Sequence, residues 1–134
     1  MQITVIEGKL IRDTEIFGKM DPFFVIQHKG QQYKTKVFLK GGKNPIWNER
    51  FRFSIYSMED DLKMTCFDED LLSNDCVGVG WYNVSTLSAH GSGLRDWFPL
   101  YYNEVLSAQI LIETKVLPVQ KELLSVSISD IMPA

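Results

Sequence analysis

Apolar and polar residues alternate over short stretches along most of the chain. Phe51, Phe53 and Ile55 fall on one side of an extended segment, with Arg52 and Ser54 on the other. Leu62, Met64 and Cys66 alternate with Lys63 and Thr65, and Ala108, Ile110 and Ile112 alternate with Gln109, Leu111 and Glu113. A period of two is that of strands with one buried face. Turn-forming clusters separate these stretches: Gly41-Gly42-Lys43-Asn44-Pro45, Ser73-Asn74-Asp75 and His90-Gly91-Ser92-Gly93. The pattern predicts eight strands, at about 2–7, 22–28, 31–38, 46–55, 62–67, 76–84, 95–101 and 107–116. No stretch of helical period stands out before residue 117. The expectation is an all-β fold, an eight-stranded antiparallel β-sandwich over residues 1–117. A tail, residues 118–134, follows; its weakly amphipathic stretch from Gln120 to Val126 is expected to be a short docked helix or part of a disordered end.

Composition narrows the class. With 134 residues, 45% hydrophobic and 23% charged, the chain suits one globular domain and is not a disordered polymer. Its net charge of −3 and pI near 5.3 argue against a nucleic-acid partner, which needs a basic footprint. The longest unbroken apolar run, Phe23-Phe24-Val25-Ile26, is far short of a membrane span. No secretory signal opens the chain, and two cysteines, Cys66 and Cys76, make no disulfide scaffold. A cytoplasmic setting is the expectation.

The net charge hides a separation. Basic residues collect between Lys29 and Arg52, and acidic ones between Glu59 and Asp75. The acids also concentrate in two segments between predicted strands. One runs from Asp13 through Glu15 to Asp21, and the other holds Asp68, Glu69, Asp70 and Asp75. Crowded carboxylates repel, so protonation, solvent or a cation must offset the cost. Oxygen donors without His or Cys select a hard cation, and calcium tolerates the irregular geometry of loops better than magnesium does. An EF-hand does not fit: counting from Asp68, the fifth, sixth and twelfth positions are Leu72, Ser73 and Val79. Any cation site must be assembled from separate loops.

Several segments, in order, carry a family resemblance: Leu10, Gly18-Lys19-Met20-Asp21-Pro22-Phe23-Phe24-Val25, Asn44-Pro45-Ile46-Trp47-Asn48-Glu49-Arg50-Phe51-Arg52-Phe53, Asp68-Glu69-Asp70 and Asp75-Cys76-Val77-Gly78. Together they resemble a C2 domain, a calcium- and phospholipid-binding β-sandwich, with the type II connectivity in which the first strand leads directly into the first acidic loop. The overall pattern is similar to small single-C2 proteins of plants and protists. The resemblance implies calcium ligands at Asp21, Asp68, Asp70 and Asp75, with Glu15 at the remaining position and Asp13 as its substitute. It also implies backbone carbonyl ligands from Met20 and Glu69. Two calcium ions are expected, with one or three as alternatives. Glu15 replaces the Asp more usual in the family, and the seven residues from Asp68 to Asp75 make a short third loop. The Asn44–Glu49 segment reads as structural, with Pro45 setting a turn and Trp47 filling the core.

The implied function is calcium-dependent, reversible attachment to anionic phospholipid. About five clustered carboxylates repel an anionic surface, and bound calcium reverses most of that charge. Ile16 and Phe17 in the first acidic loop, with Leu71 and Leu72 in the second, are placed to enter the interface. Lys34, Lys36, Lys40 and Lys43 are candidates for phosphoinositide or other anionic headgroups; in strict alternation Lys34 and Lys36 share a face. The domain would thus be cytoplasmic and peripheral at membranes in calcium. The alternative is a calcium-independent module binding a protein partner or phosphoinositide. Enzyme chemistry is not expected. His28 and His90 lack a nucleophile arrangement, Gly91-Ser92-Gly93 is not a nucleophile elbow, and no P-loop is present.

Overall fold

The computed structural model describes residues 1–117, so the expectation for the tail, residues 118–134, lies outside the described residues. The alternating segments form eight strands: β1 (Gln2–Leu10), β2 (Pro22–His28), β3 (Gln31–Lys34), β4 (Ile46–Arg52), β5 (Asp61–Asp68), β6 (Asp75–Asn83), β7 (Leu94–Tyr102) and β8 (Val105–Lys115). One helical turn, α1 (Val84–Leu87), joins β6 to β7. All pairings are antiparallel, in the order β3-β2-β5-β6-β7-β8-β1-β4. β6 and β7 share a single residue pair, Val79 with Tyr101, so the order divides into two four-stranded sheets. Their inner faces meet in one core, with Phe24, Ile26, Leu62, Met64 and Cys66 from one sheet against Ile3, Val5, Leu100, Ile110 and Ile112 from the other. This is the expected sandwich, and β1 runs straight into the first acidic loop.

Close approach decides several details. Gly78 lies where β6 reaches the opposite sheet, and a Cβ there would collide with the Ser107 hydroxyl. That hydroxyl donates to the Leu100 carbonyl at 3.2 Å. The open edge between β3 and β4 is closed by side chains rather than by a ladder. Tyr33 stacks on Phe51 at 5.5 Å and meets Phe53 edge-on at 4.8 Å. The Gln31 amide exchanges two hydrogen bonds of 3.4 Å with the backbone of Ser54. Far from the acidic loops, Asp60 receives His28 Nε2 at 3.1 Å and Lys29 Nζ at 2.9 Å, and it holds the 56–60 turn through the N–H groups of Tyr56 and Ser57. The Lys29 ammonium, first among these partners, pulls the Asp60 carboxyl down to about 2.

Several strand limits differ from the alternation reading, four of them with a clear local cause. β1 continues past Gly8 to Leu10, because Gly8 is a strand-interior site that Pro45 and Ile110 crowd, not a stop. β3 ends at Lys34, where the Thr35 hydroxyl, in place of a backbone carbonyl, accepts the Phe24 N–H at 2.9 Å; beyond it the chain stays beside β2 through the irregular bond from the Phe38 N–H to the Pro22 carbonyl. Lys36 is therefore outside the strand and shares no strand face with Lys34; its N–H donates to Glu49 Oε2 at 2.8 Å. β4 stops at Arg52, where Met1 takes over as the partner of Phe53. β6 ends at Asn83, whose side chain caps α1 by accepting the Thr86 N–H at 2.7 Å.

The Asn44–Glu49 segment is structural. Opposite β1, the register slips between Val5–Glu49 and Glu7–Ile46, leaving a bulge at Trp47 and Asn48. Asn48 takes the left-handed conformation (φ 50°) that the bulge requires. The resulting bend seats Trp47 in the core, 6.0 Å from Phe24, with Nε1 donating to the Pro22 carbonyl at 3.2 Å. The indole thus ties β4 to the residue that follows Asp21. Asn48 is exposed, so Asn48→Val is expected to lose about 1–3 kcal/mol through backbone strain alone. Asn48→Gly relieves the same strain and is expected to keep the wild-type urea midpoint.

Candidate metal centre and apolar rim

The two acidic segments meet because strand register aligns their ends. Pro22 of β2 pairs with Asp68 of β5, and Asp68 pairs with Asp75 of β6. Neighbouring strands lie roughly 5 Å apart, so three consecutive strand ends bring Asp21, Asp68 and Asp75 to one pole of the sandwich.

Asp68 is the centre of this pole and is fully buried. Its Oδ1 accepts the Asp21 N–H at 2.8 Å, and its Oδ2 accepts the Thr14 hydroxyl at 2.8 Å. The Glu69 N–H returns to the Asp21 carbonyl at 2.9 Å. Above Asp68, carboxylate oxygens of Glu15, Asp70 and Asp75 all lie within 4.8 Å of one another. The contact with Asp68, and then the nearby charges of Asp68, Asp70 and Asp75, push the Glu15 carboxyl up to about 7. A proton on Glu15 relieves the crowding, and a cation could do so more completely. The all-oxygen donor set fits a hard divalent ion.

The other expected ligands occupy different places. Asp21 is adjacent but outside the close trio, and its Oδ1 accepts the Lys40 N–H at 2.6 Å. Asp13 is exposed and turns its Oδ1 to the Glu15 N–H at 3.0 Å, shaping the loop that carries Glu15. The Met20 carbonyl accepts the Gly42 N–H at 3.0 Å, while its side chain is buried in the core. Glu69 is exposed, and Asp70 Oδ1 accepts the Leu71 N–H at 2.7 Å.

Large apolar side chains rim the same pole. Ile16 is 89% exposed, Phe17 88%, and Leu71 and Leu72 are each 99% exposed. The segment between β3 and β4 joins them through hydrogen bonds from Phe38, Lys40 and Gly42 to Pro22, Asp21 and Met20. That segment adds Leu39, 73% exposed, and flanking Lys40 and Lys43. Lys19 lies against Gly42. Lys34 is placed otherwise: its ammonium sits 4.3 Å from the centre of the Phe23 ring on the outer face of the sheet. Thr14, Leu39 and Lys19 were not marked by spacing. Leu39 beside the Gly41-Gly42 turn had a readable signal, an apolar residue in turn material, whereas the role of Thr14 exists only once Asp68 is folded against it.

Residues 1–100 match the family described as C2 domain. Among similar proteins are 16 kDa phloem protein 1 of Arabidopsis thaliana, 31% identical over 113 residues covering 78% of this chain and 72% of that protein. Elicitor-responsive protein 1 of Oryza sativa subsp. japonica is 30% identical over 105 residues, covering 72% of this chain and 66% of the relative. A calcium-bound structure of a tandem pair of domains from Extended-Synaptotagmin 2 superposes with a TM-score of 0.72 at 24% identity over 84% of this chain and 43% of that one, and shows the shared fold. The chain belongs to the C2 domain family. Among the described residues no helix is long and apolar enough to cross a membrane.

The raised Glu15 carboxyl has a definite consequence for stability. Between about pH 4.5 and pH 7 the folded domain holds a proton that an ordinary Glu in the unfolded chain has released. The native state binds more protons in that window, so stability should fall as pH rises through it. Scanning calorimetry in chelator is expected to show a falling melting temperature, and Glu15→Gln to flatten that part of the profile.

Proposed function

We propose that this domain binds calcium at the Glu15–Asp68–Asp70–Asp75 pole, with Asp21 completing the donor set, and thereby docks reversibly on anionic phospholipid. The carrying observation is the coincidence of close carboxylates around buried Asp68 with fully exposed apolar tips on the loops that supply them. Membership of a family of calcium- and phospholipid-binding sandwiches supports the reading. When bound, calcium supplies positive charge and coordination positions open to phosphate oxygens.

The chain's own residues do the rest. Thr14 and the Asp21 N–H hold the Asp68 carboxylate in one orientation. Glu15 gives up its proton when the crowding is neutralised. With repulsion removed, Phe17, Leu71 and Leu72 can enter the interfacial layer, each contributing roughly 1.5–3 kcal/mol at most. Leu39 adds a third loop to this rim, and Lys19, Lys40 and Lys43 face the same anionic surface. The attachment is thus peripheral, set by local charge rather than by a large rearrangement.

Co-sedimentation with phosphatidylserine vesicles tests this directly. Wild-type protein is expected to pellet in calcium and stay soluble in chelator. Asp68→Asn with Asp70→Asn should abolish calcium-dependent pelleting; pelleting indistinguishable from wild type would rule the mechanism out. Calcium is also expected to raise the melting temperature of wild type but not of this variant. Calcium-independent pelleting of both would instead point to a basic-face module.

The apolar tips make a separate prediction. Phe17→Ala and Leu72→Ala are each expected to weaken vesicle binding by about tenfold or more without changing the calcium-induced thermal shift. Leu39→Ala should act in the same direction.

A further inference from the structure

At the pole opposite the acidic loops, the sandwich is open. A groove of about 540 Å³ lies between Tyr33, Phe53, Ile55, Tyr56 and Met58, with Met1 and Val84 at its base. Tyr56 is 71% and Met58 38% exposed, although both belong to a largely apolar lining. We propose that this groove is occupied by the chain's own C-terminal segment, residues 118–134.

Three observations identify this occupant. First, Val116 and Leu117, which follow β8, themselves line the groove, so residue 118 is joined directly to a groove residue. Pro118 follows at once in the sequence and has no N–H to offer a strand ladder. Second, the segment carries apolar residues to fill the space. Val119, Leu123 and Val126 recur at i, i+4 and i+7, with Leu124, Ile128, Ile131 and Met132 besides. Third, the charges complement. Among the described residues that line the groove, Arg52 is the one with a charged side chain, and the segment carries Glu122 and Asp130 against a single Lys121. Docking covers Tyr56 and Met58 and stitches the end of β8 to the segment after β4, at the pole opposite the acidic loops. The proposal is independent of calcium and lipid.

Hydrogen-exchange mass spectrometry on the 134-residue chain in chelator tests it. Amides within 119–126 are expected to exchange about tenfold or more slowly than those of the isolated peptide. Leu123→Ser with Leu124→Ser should remove that protection and speed exchange in 53–58. Tyr56→Ala with Met58→Ala, changing two exposed groove residues, should release 119–126 in turn. The segment exchanging at the rate of the free peptide overturns the proposal. So does protection that survives the groove variant, which would place the segment elsewhere. Protection that appears only at high protein concentration assigns the groove to a second copy and overturns it as well.

Discussion

A single buried carboxylate organises the acidic pole of this domain. Asp68 sits at the last position of β5, between the ends of β2 and β6, and accepts hydrogen bonds from the Asp21 backbone and the Thr14 side chain. A charge removed from water is tolerable only when its oxygens are partnered. Those partners come from the first acidic loop, so satisfying Asp68 also fixes where that loop runs. Glu15 is then carried into the field of Asp68, Asp70 and Asp75. The crowding is a by-product of holding one loop against another.

The sandwich beneath supplies rigidity where this arrangement needs it. Trp47 reaches from the β4 bulge to the Pro22 carbonyl, immediately after Asp21. The segment between β3 and β4 donates to Asp21, Met20 and Pro22. The first acidic loop is therefore braced from both sides, by Asp68 and by the neighbouring connection. By contrast, the tips that carry Phe17, Leu71 and Leu72 project freely into solvent. The carboxylates are therefore braced while the apolar tips beside them are free, the combination on which the proposed docking rests.

The two poles differ in kind. One collects carboxylates, exposed aliphatic and aromatic tips and flanking lysines. The other is held by Asp60, with His28 and Lys29 as partners, beside an apolar groove where β8 ends. One end thus carries the acidic loops with their exposed apolar tips, and the other carries the groove where β8 ends.

Much of the architecture was legible in the order of residues. Alternation located all eight strands, and the spacing of acids between them marked the loops that meet. Misplaced limits trace to contacts with no local signature: Gly8 crowded by Pro45, Thr35 capturing the Phe24 N–H, and Asn83 capping a helical turn that starts at the last residue of the expected strand, Val84. The same holds at the site. The sequence alone determined that carboxylates and apolar residues share two loops, because residue type and strand period are local properties. Only the tertiary structure decided that Glu15, Asp70 and Asp75 close on one another while Asp13 turns to the Glu15 N–H and Asp21, beside the trio, shares its Oδ1 with the Lys40 N–H. It likewise decided that Leu39 joins the rim and that Lys36 leaves the strand. Those outcomes depend on strand register and on which backbone N–H each carboxylate meets, distances set by packing between segments far apart in the chain.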